Sequence, residues 1–287
     1  MERENQAYAK INLSLEVLGK RADGFHDLVS VMQTVSLCDD LTFAPAEEVT
    51  FTCSQAELTG PSNLVVRAAN RLRQVCGVSA GCAIHLEKHI PHAAGLGGGS
   101  SDAAATLRSL VKLWALTVPK GTLYRLASQL GSDVPFFLQQ GTALVEGRGE
   151  RVTPLPDPPT RWYLLAKPPI QVPTAEIFAR LQRAAWSDGS RTHALASHLR
   201  QGGAVQFGPN SLQDALFSAY PLAQDCFERV SQVSEGRAAV SGSGPTIVAW
   251  FPSQDEARRA AERLEDNQFS LFVASSVASH REKPSCA

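Results

Sequence analysis

The chain has 287 residues, 44% of them hydrophobic and 19% charged, with a formal net charge of -1, which suits one large or two medium globular domains with well-buried cores. The near-zero charge and the lack of a sustained Lys/Arg run argue against a nucleic-acid surface. No apolar run approaches the roughly 20 residues of a membrane span. The polar start Met1-Glu2-Arg3-Glu4-Asn5 does not read as a signal peptide, so the expectation is a cytoplasmic protein with neither nucleic acid nor membrane as partner.

In chain order, Tyr8 to Leu15 alternates Ile11, Leu13 and Leu15 with Lys10, Asn12 and Ser14, the pattern of a strand with one core face and one polar face. A turn at Arg21-Ala22-Asp23-Gly24-Phe25-His26 leads to an alternating run over 29–37 and shorter β-like stretches near 41–43 and 49–53. From Ser62 to Cys76 the period becomes helical, with Ser62 as the expected N-cap and Gly77 just past the end. A strand over 83–90 follows, then a glycine-rich loop and a helix reaching Trp114. A further helix runs from about Pro119 to Leu130, ending at Gly131 and leading into Ser132-Asp133-Val134-Pro135.

Residues 141–150 read as a hairpin, and four prolines between Pro154 and Pro159 mark the expected domain boundary. Beyond it the pattern gives a strand over 162–166, a helix opening at Thr174, and a polar connection over 187–203 with a short helix. Helices near 211–218 and 222–233 come next, then strands at 238–240 and 246–251 around Ser241-Gly242-Ser243-Gly244-Pro245. A helix opened by the capping box Ser253-Gln254-Asp255-Glu256 and a strand over 271–277 complete an α+β sandwich.

Six cysteines, at 38, 53, 76, 82, 226 and 286, form no C-x-x-C pair and read as reduced thiols. His85, Glu87 and His89 share one face of the 83–90 strand. With no H-E-x-x-H spacing and no closing ligand, a solvated polar face is favoured there over a metal site.

The stretch with most chemical content is Ile90 to Ala105. Gly95, Gly97, Gly98 and Gly99 offer backbone that can approach a ligand closely, and they run into Ser100, Ser101 and an alanine-rich helix start, the outline of a phosphate cradle. A glycine-rich strand-to-helix turn without any ligand is the competing reading. The P-loop pattern fails because no Lys precedes Ser100, the dinucleotide fingerprint lacks its repeated βαβ setting, and the protein-kinase motif set is missing.

Three segments in this order, Ala9-Lys10-Ile11-Asn12, the glycine loop and Ser241-Gly242-Ser243-Gly244-Pro245, resemble the three motifs of the GHMP kinases across essentially the whole chain. The resemblance implies a two-domain GHMP kinase fold. Residues 1–155 would form an ATP-binding N-terminal domain like domain 2 of ribosomal protein S5, and residues 156–287 a ferredoxin-like α/β-sandwich substrate domain. Within the family, the turn at 21–26, the full Gly-Leu-Gly-Gly-Gly-Ser-Ser-Asp-Ala-Ala run, the Gly131 to Phe137 element and Pro209-Asn210-Ser211-Leu212 are similar to one branch. Its members use ATP to phosphorylate the 2-hydroxyl of a cytidine diphosphate conjugate of methylerythritol in the non-mevalonate isoprenoid route. Homoserine and mevalonate kinases share the glycine loop but not the Asp-Gly-Phe-His type of turn or this form of the Asp-Val-Pro element.

By that resemblance Asp133 is the general base and Lys10 its cationic partner, although by pattern alone Asp133 is a turn aspartate and Lys10 a solvated charge. Pro91, Gly95, Leu96, Gly97, Gly98, Gly99, Ser100 and Ser101 would hold ATP and help place Mg2+. Asn63, Leu64 and Lys88 would lie near the adenine and ribose; by pattern alone Leu64 is helix core and Lys88 a surface charge. Asn12, Phe25, His26, Thr174, Phe178 and Gly242 would form the substrate side, with Phe25 stacking on the cytosine and His26 reading its edge. Two departures stand out: Phe25, where many relatives carry Tyr, and His92, where an apolar residue is usual. The resemblance implies a monomer or homodimer whose partner is this small-molecule substrate.

Overall fold

The computed structural model describes residues 3–264 and 268–279. Two long strands, β1 (Arg3–Lys20) and β2 (His26–Ala46), pair antiparallel along their whole length through the turn at 21–25 and organise the first sheet. The other edge of β2 takes two partners in succession. Residues 40–46 pair with β4 (Gly81–Glu87), which runs parallel to β3 (Val49–Cys53). Residues 28–33 pair with β5 (Thr142–Gly147), which forms the hairpin with β6 (Arg151–Pro154). The break expected between 37 and 41 does not occur. Asp39 interrupts the apolar alternation but is fully buried, because its carboxylate is hydrogen-bonded, so β2 continues through it.

Four helices cover one face of this sheet: α1 (Leu64–Cys76), α2 (Gly98–Leu113), α3 (Lys120–Leu130) and α4 (Val134–Gln139). Leu72, Leu107, Phe136 and Phe137 pack there against Phe43, Ile84 and Leu86. The N-cap of α1 is Asn63 rather than Ser62: its Oδ1 accepts from Val65 N at 2.9 Å while its Nδ2 donates to Leu58 O. Gly77 is left-handed, as a C-terminal glycine should be, whereas Gly131 beyond α3 is extended.

The second sheet has the order β10-β7-β9-β8, all antiparallel, from β7 (Trp162–Lys167), β8 (Ala238–Val240), β9 (Ile247–Phe251) and β10 (Ser270–Ser275). One face carries α5 (Thr174–Arg180), α7 (Gln213–Ala219), α8 (Pro221–Val233) and α9 (Gln254–Glu262), the last capped by Ser253. The other face packs on the first sheet and on α6 (Ser190–Arg200) through a cluster that joins Ile11, Leu13, Val29 and Val31 to Tyr163, Leu165, Val248 and Ala274. The two sheets therefore share a core, although their strands divide between Pro154 and Trp162.

Backbone bonds continue that junction. The outer edge of β1 takes up residues 208–211 of the second half, with Leu15 N bonded to Pro209 O and Ser211 N to Leu15 O. Val277 N bonds Thr34 O beyond the end of β10. One buried side-chain bond also crosses, from Tyr163 Oη to Gln33 Oε1. Removing a hydroxyl that satisfies a buried acceptor costs more than the bond itself is worth, because the acceptor stays dry and unpaired. Tyr163→Phe is accordingly expected to lower the unfolding free energy by about 1–3 kcal/mol, measured by chemical denaturation. An unchanged midpoint would mean that this bond does not tie the two halves.

Candidate active site

The glycine loop leaves β4 and enters α2. Gly95 and Gly97 both take left-handed φ, at 73° and 72°. A Cβ on Gly95 would stand 2.3 Å from Ser241 O, and one on Gly97 2.8 Å from the Phe137 ring and 3.1 Å from Lys10 Cγ. Glycine here answers to close approach as well as to conformation. Gly98, Gly99 and Ser100 form the first turn of α2; no side chain caps this end, and the first intrahelical bond is Ser101 N to Gly97 O. Their N–H groups have no acceptor within the helix, and all three residues line a cavity of about 930 Å³.

The same contacts gather the three sequence motifs. Lys10 N donates to Leu96 O at 3.0 Å, and Ser241 Oγ donates to Gly95 O at 3.1 Å. Lys10 is only 4% exposed, and its ammonium reaches Asn12 Oδ1 at 2.7 Å and Asp133 Oδ2 at 3.7 Å. Burial pushes its pKa below the ordinary lysine value, against the opposing attraction of Asp133. A Cβ on Gly242 would stand 3.2 Å from Lys10 Nζ, so the third motif roofs the ammonium. Asp133 occupies the N-cap of α4 without making a capping bond, which leaves its partly exposed carboxylate at the cavity wall. A turn aspartate and a solvated lysine are thereby replaced by a facing pair.

Lys88 is not a surface charge. Its ammonium is buried between Asp39 Oδ2 at 2.5 Å and Asp102 Oδ2 at 2.9 Å. Asp39 Oδ1 accepts in addition from His89 N and Ile90 N, fixing the point where the chain leaves β4 for the loop. Burial alone would lower the Lys88 pKa, but Asp102 and Asp39 outweigh it and hold it above the ordinary value. Asp102 is pushed up to about 8 by burial, with Lys88 opposing and Asp39 adding to the rise. Its second oxygen, Oδ1, is buried with no hydrogen-bond partner.

At the other end of the cavity the turn at 21–25 presents Phe25, 49% exposed, with the Arg148 guanidinium 5.1 Å from its ring centroid. His26 packs on Phe178 with ring centroids 5.1 Å apart. Burial and the nearby Lys20 charge lower the His26 pKa, so the ring is neutral at pH 7, with one nitrogen that donates and one that accepts. Thr174 Oγ1 and Ser243 Oγ share a hydrogen bond at 3.0 Å.

Of the residues singled out from the sequence, Lys10, Asn12, Phe25, His26, Asn63, Leu64, Lys88, Pro91, Gly95, Gly97, Gly98, Gly99, Ser100, Asp133, Thr174, Phe178 and Gly242 all line this one cavity. Two do not. Leu96 is buried in the core between the sheets, and Ser101, one residue round the helix from Ser100, turns its hydroxyl inward to Tyr8 O at 2.6 Å. Arg148, Asp102 and Ser132 line the cavity without having been singled out. Arg148 lay in an apparent hairpin turn, where only its position between Gly147 and Gly149 hinted at close approach. His89 pairs with Asp40 and His85 with Thr52. Among the described residues no three His, Cys, Asp or Glu side chains are grouped to hold a metal ion, and five cysteines are free thiols; Cys286 lies outside the described residues. No described helix is long and apolar enough to cross a membrane.

Residues 63–141 match the family model for the GHMP kinases N terminal domain, and residues 191–270 that for the GHMP kinases C terminal domain. A 4-diphosphocytidyl-2-C-methyl-D-erythritol kinase of Pelotomaculum thermopropionicum is 41% identical over 273 residues, covering 93% of this chain and 95% of that protein. One from Geobacillus kaustophilus is 42% identical over 265 residues, covering 90% and 91%. A crystal structure of a 4-(cytidine 5'-diphospho)-2C-methyl-D-erythritol kinase matches with a TM-score of 0.81 at 33% identity, over 96% of this chain and 99% of the other. A homoserine kinase from Cytophaga hutchinsonii, 18% identical, shares the fold at a TM-score of 0.74, over 98% and 96%.

The Lys88 cluster yields a stability test. Asp102 keeps its proton in the fold where the open chain would release it, so its contribution is full in acid. That contribution is lost as pH rises from the ordinary aspartate range to about 8. Asp102→Asn is expected to flatten the decline in unfolding free energy across that window. Lys88→Met, which strands two buried carboxyl groups, is expected to cost about 3–5 kcal/mol. Denaturant titrations at several pH values measure both, and an identical pH slope in the Asn variant would refute the protonated Asp102.

Proposed function

The chain belongs to the GHMP kinases and, within them, to the 4-diphosphocytidyl-2-C-methyl-D-erythritol kinases, and from that membership we propose a division of labour along the cavity. The α2 end takes the ATP phosphates, the Phe25 end takes the cytidine, and the 2-hydroxyl of the methylerythritol lies between, beside Asp133. The supporting observation is that Lys10 and Asp133, 3.7 Å apart, sit on the wall of the one cavity that also holds the glycine loop and the Phe25, His26 and Phe178 rings. Residues 1–155 supply the nucleotide site, and residues 156–287 add Thr174, Phe178 and Gly242 to the substrate side.

Phosphoryl transfer through a loose transition state asks a protein for position and charge more than for covalent chemistry. Asp133 accepts the proton of the 2-hydroxyl as its oxygen bonds to the γ-phosphorus, the bond from that phosphorus to the β–γ bridging oxygen breaks, and ADP departs. Lys10 stabilises negative charge growing on the hydroxyl oxygen, where its low exposure strengthens the interaction. The N–H groups of Gly98, Gly99 and Ser100 hold phosphate oxygens with the help of the α2 dipole. Mg2+ carried by the phosphates would supply further charge neutralisation, with the Ser100 hydroxyl, which lines the cavity, as the protein group that would hold it. Cytosine stacks on Phe25, and the neutral His26 hydrogen-bonds its edge. Arg148, already against Phe25, brings positive charge to the diphosphate.

ADP release with Mg-ATP is expected with 4-diphosphocytidyl-2-C-methyl-D-erythritol and not with homoserine or mevalonate. Asp133→Ala should lower kcat by about 10²–10⁴ while leaving nucleotide affinity unchanged. Turnover of another acceptor would move the substrate assignment within the family, and nucleotide binding without any turnover would indicate a sensor. His26→Ala should raise KM for the cytidine substrate far more than for ATP; equal effects on both would remove it from the cytosine end.

A further inference from the structure

Asn12 lies at the centre of a buried chain of hydrogen bonds whose direction can be worked out from donor chemistry. Its amide has one end that only accepts and one that only donates. Lys10 Nζ, which can only donate, stands 2.7 Å from one end, and Ser30 Oγ stands 2.8 Å from the other. The amide oxygen must therefore face Lys10, and the amide nitrogen donates to Ser30. Ser30 Oγ accepts from Asn12, because its own single proton goes to Ser14 O at 2.6 Å. Every proton in the chain has a place, from ammonium to amide to hydroxyl to backbone carbonyl.

A register slip sets up this arrangement. Pairing between β1 and β2 shifts between Asn12 and Ser14, and side chains help close the sheet there: Ser14 Oγ accepts from Val31 N while Ser30 Oγ holds Ser14 O. Asn12, Ser14 and Ser30 are all at most 2% exposed, so water does not compete for the amide. A serine on a central strand, whose hydroxyl reaches neither the ammonium nor the cavity wall, thus anchors the end of Asn12 that faces away from the ammonium.

We propose that Ser30 is a positioning residue: its hydroxyl locks the Asn12 amide so that the oxygen holds the Lys10 ammonium at a set distance from Asp133. Without the hydroxyl, Asn12 Nδ2 loses its acceptor and the amide is no longer anchored at that end. The Lys10 ammonium, held to the amide oxygen at 2.7 Å and standing 3.7 Å from Asp133, then has no fixed place from which to meet the reacting hydroxyl. Around Lys10, Asp133 on α4 is the charged side chain acting on it among the described residues. The glycine loop presents Gly97 and the 242 turn Gly242.

The inference rests on the reading that Lys10 and Asp133 carry the chemistry. Its test is the isosteric pair Ser30→Val and Ser30→Thr, which fill the same volume and differ in the hydroxyl alone. The full chain is assayed with Mg-ATP and the acceptor the wild type turns over. Ser30→Val is expected to lower kcat by roughly 10- to 100-fold, within the span of a mispositioned catalytic group, with KM for ATP unchanged. Its alkaline limb should move to lower pH, since the acceptor that favours the charged form of Lys10 is held less firmly. Ser30→Thr should restore both. Should the added methyl group unfold both variants, Ser30→Ala removes the hydroxyl without adding volume and is read by the same pH profile. Equal kcat and equal alkaline limbs in the Val and Thr enzymes, or in Ser30→Ala and wild type, overturn the proposal. An active Asp133→Ala enzyme overturns the underlying reading instead, so the two failures are distinguishable.

Discussion

A buried ammonium is the constraint on which the rest of the site depends. Taking a lysine head group out of water costs several kcal/mol unless hydrogen bonds and an opposite charge replace its hydration. Lys10 receives this replacement from Asn12 beside it and from Asp133 at the head of α4, while Gly97 and Gly242 close in on its stem and head. Each of the three motifs has a residue in this small volume. A Cβ on Gly97 would press on the lysine stem and one on Gly242 on its head, so the smallness of those residues is a property of the ammonium's surroundings as much as of the phosphate loop.

The second buried lysine makes an informative contrast. Lys88 is enclosed by two carboxyl groups in hydrogen-bonding contact, and its pKa is raised; Lys10 has a single carboxylate at ion-pair distance, and its pKa is lowered. Lys88 is saturated, and its charge is spent within the protein on holding the start of the glycine loop through Asp39. Lys10 is under-satisfied, so it retains attraction for a negative charge that appears beside it. The same residue type, equally hidden from water, becomes a strut in one place and a cation with charge to spare in the other, according to how many carboxyl groups the fold supplies.

Sequence pattern reached the glycine loop, the helix faces and the third motif because each is local: glycine spacing, a 3.6-residue period and a capping box declare themselves within a few residues. The errors share a different character. Lys88 read as a solvated charge because its partners lie 49 and 14 residues away, and Asp39 read as a break in a strand because its three hydrogen-bonding contacts are all distant. Ser100 and Ser101 could not be separated by type. Only the rotation of the helix, about 100° per residue, sends one to the cavity and the other to Tyr8 O. The roles of Lys10 and Asp133 came from family resemblance, since neither residue has a local pattern that distinguishes a reacting group from a surface one.

The cavity is also divided by the kind of element that builds it. Lys10 and Asn12 stand on a strand paired along its length, and Asp133 opens a helix whose Phe136 and Phe137 are buried in the core, so the Lys10–Asp133 end is held by elements that cannot shift without disturbing packing. Phe25 sits on an exposed turn, Arg148 on the hairpin turn beyond β5, and Thr174 at the first turn of α5. Residues on those turns can be replaced at small cost to the core, whereas the distance between Lys10 and Asp133 is inherited from the sheet. The fold itself tolerates wide sequence change, being shared with a homoserine kinase at 18% identity, because packed strands and helices hold it whatever their exposed turns carry.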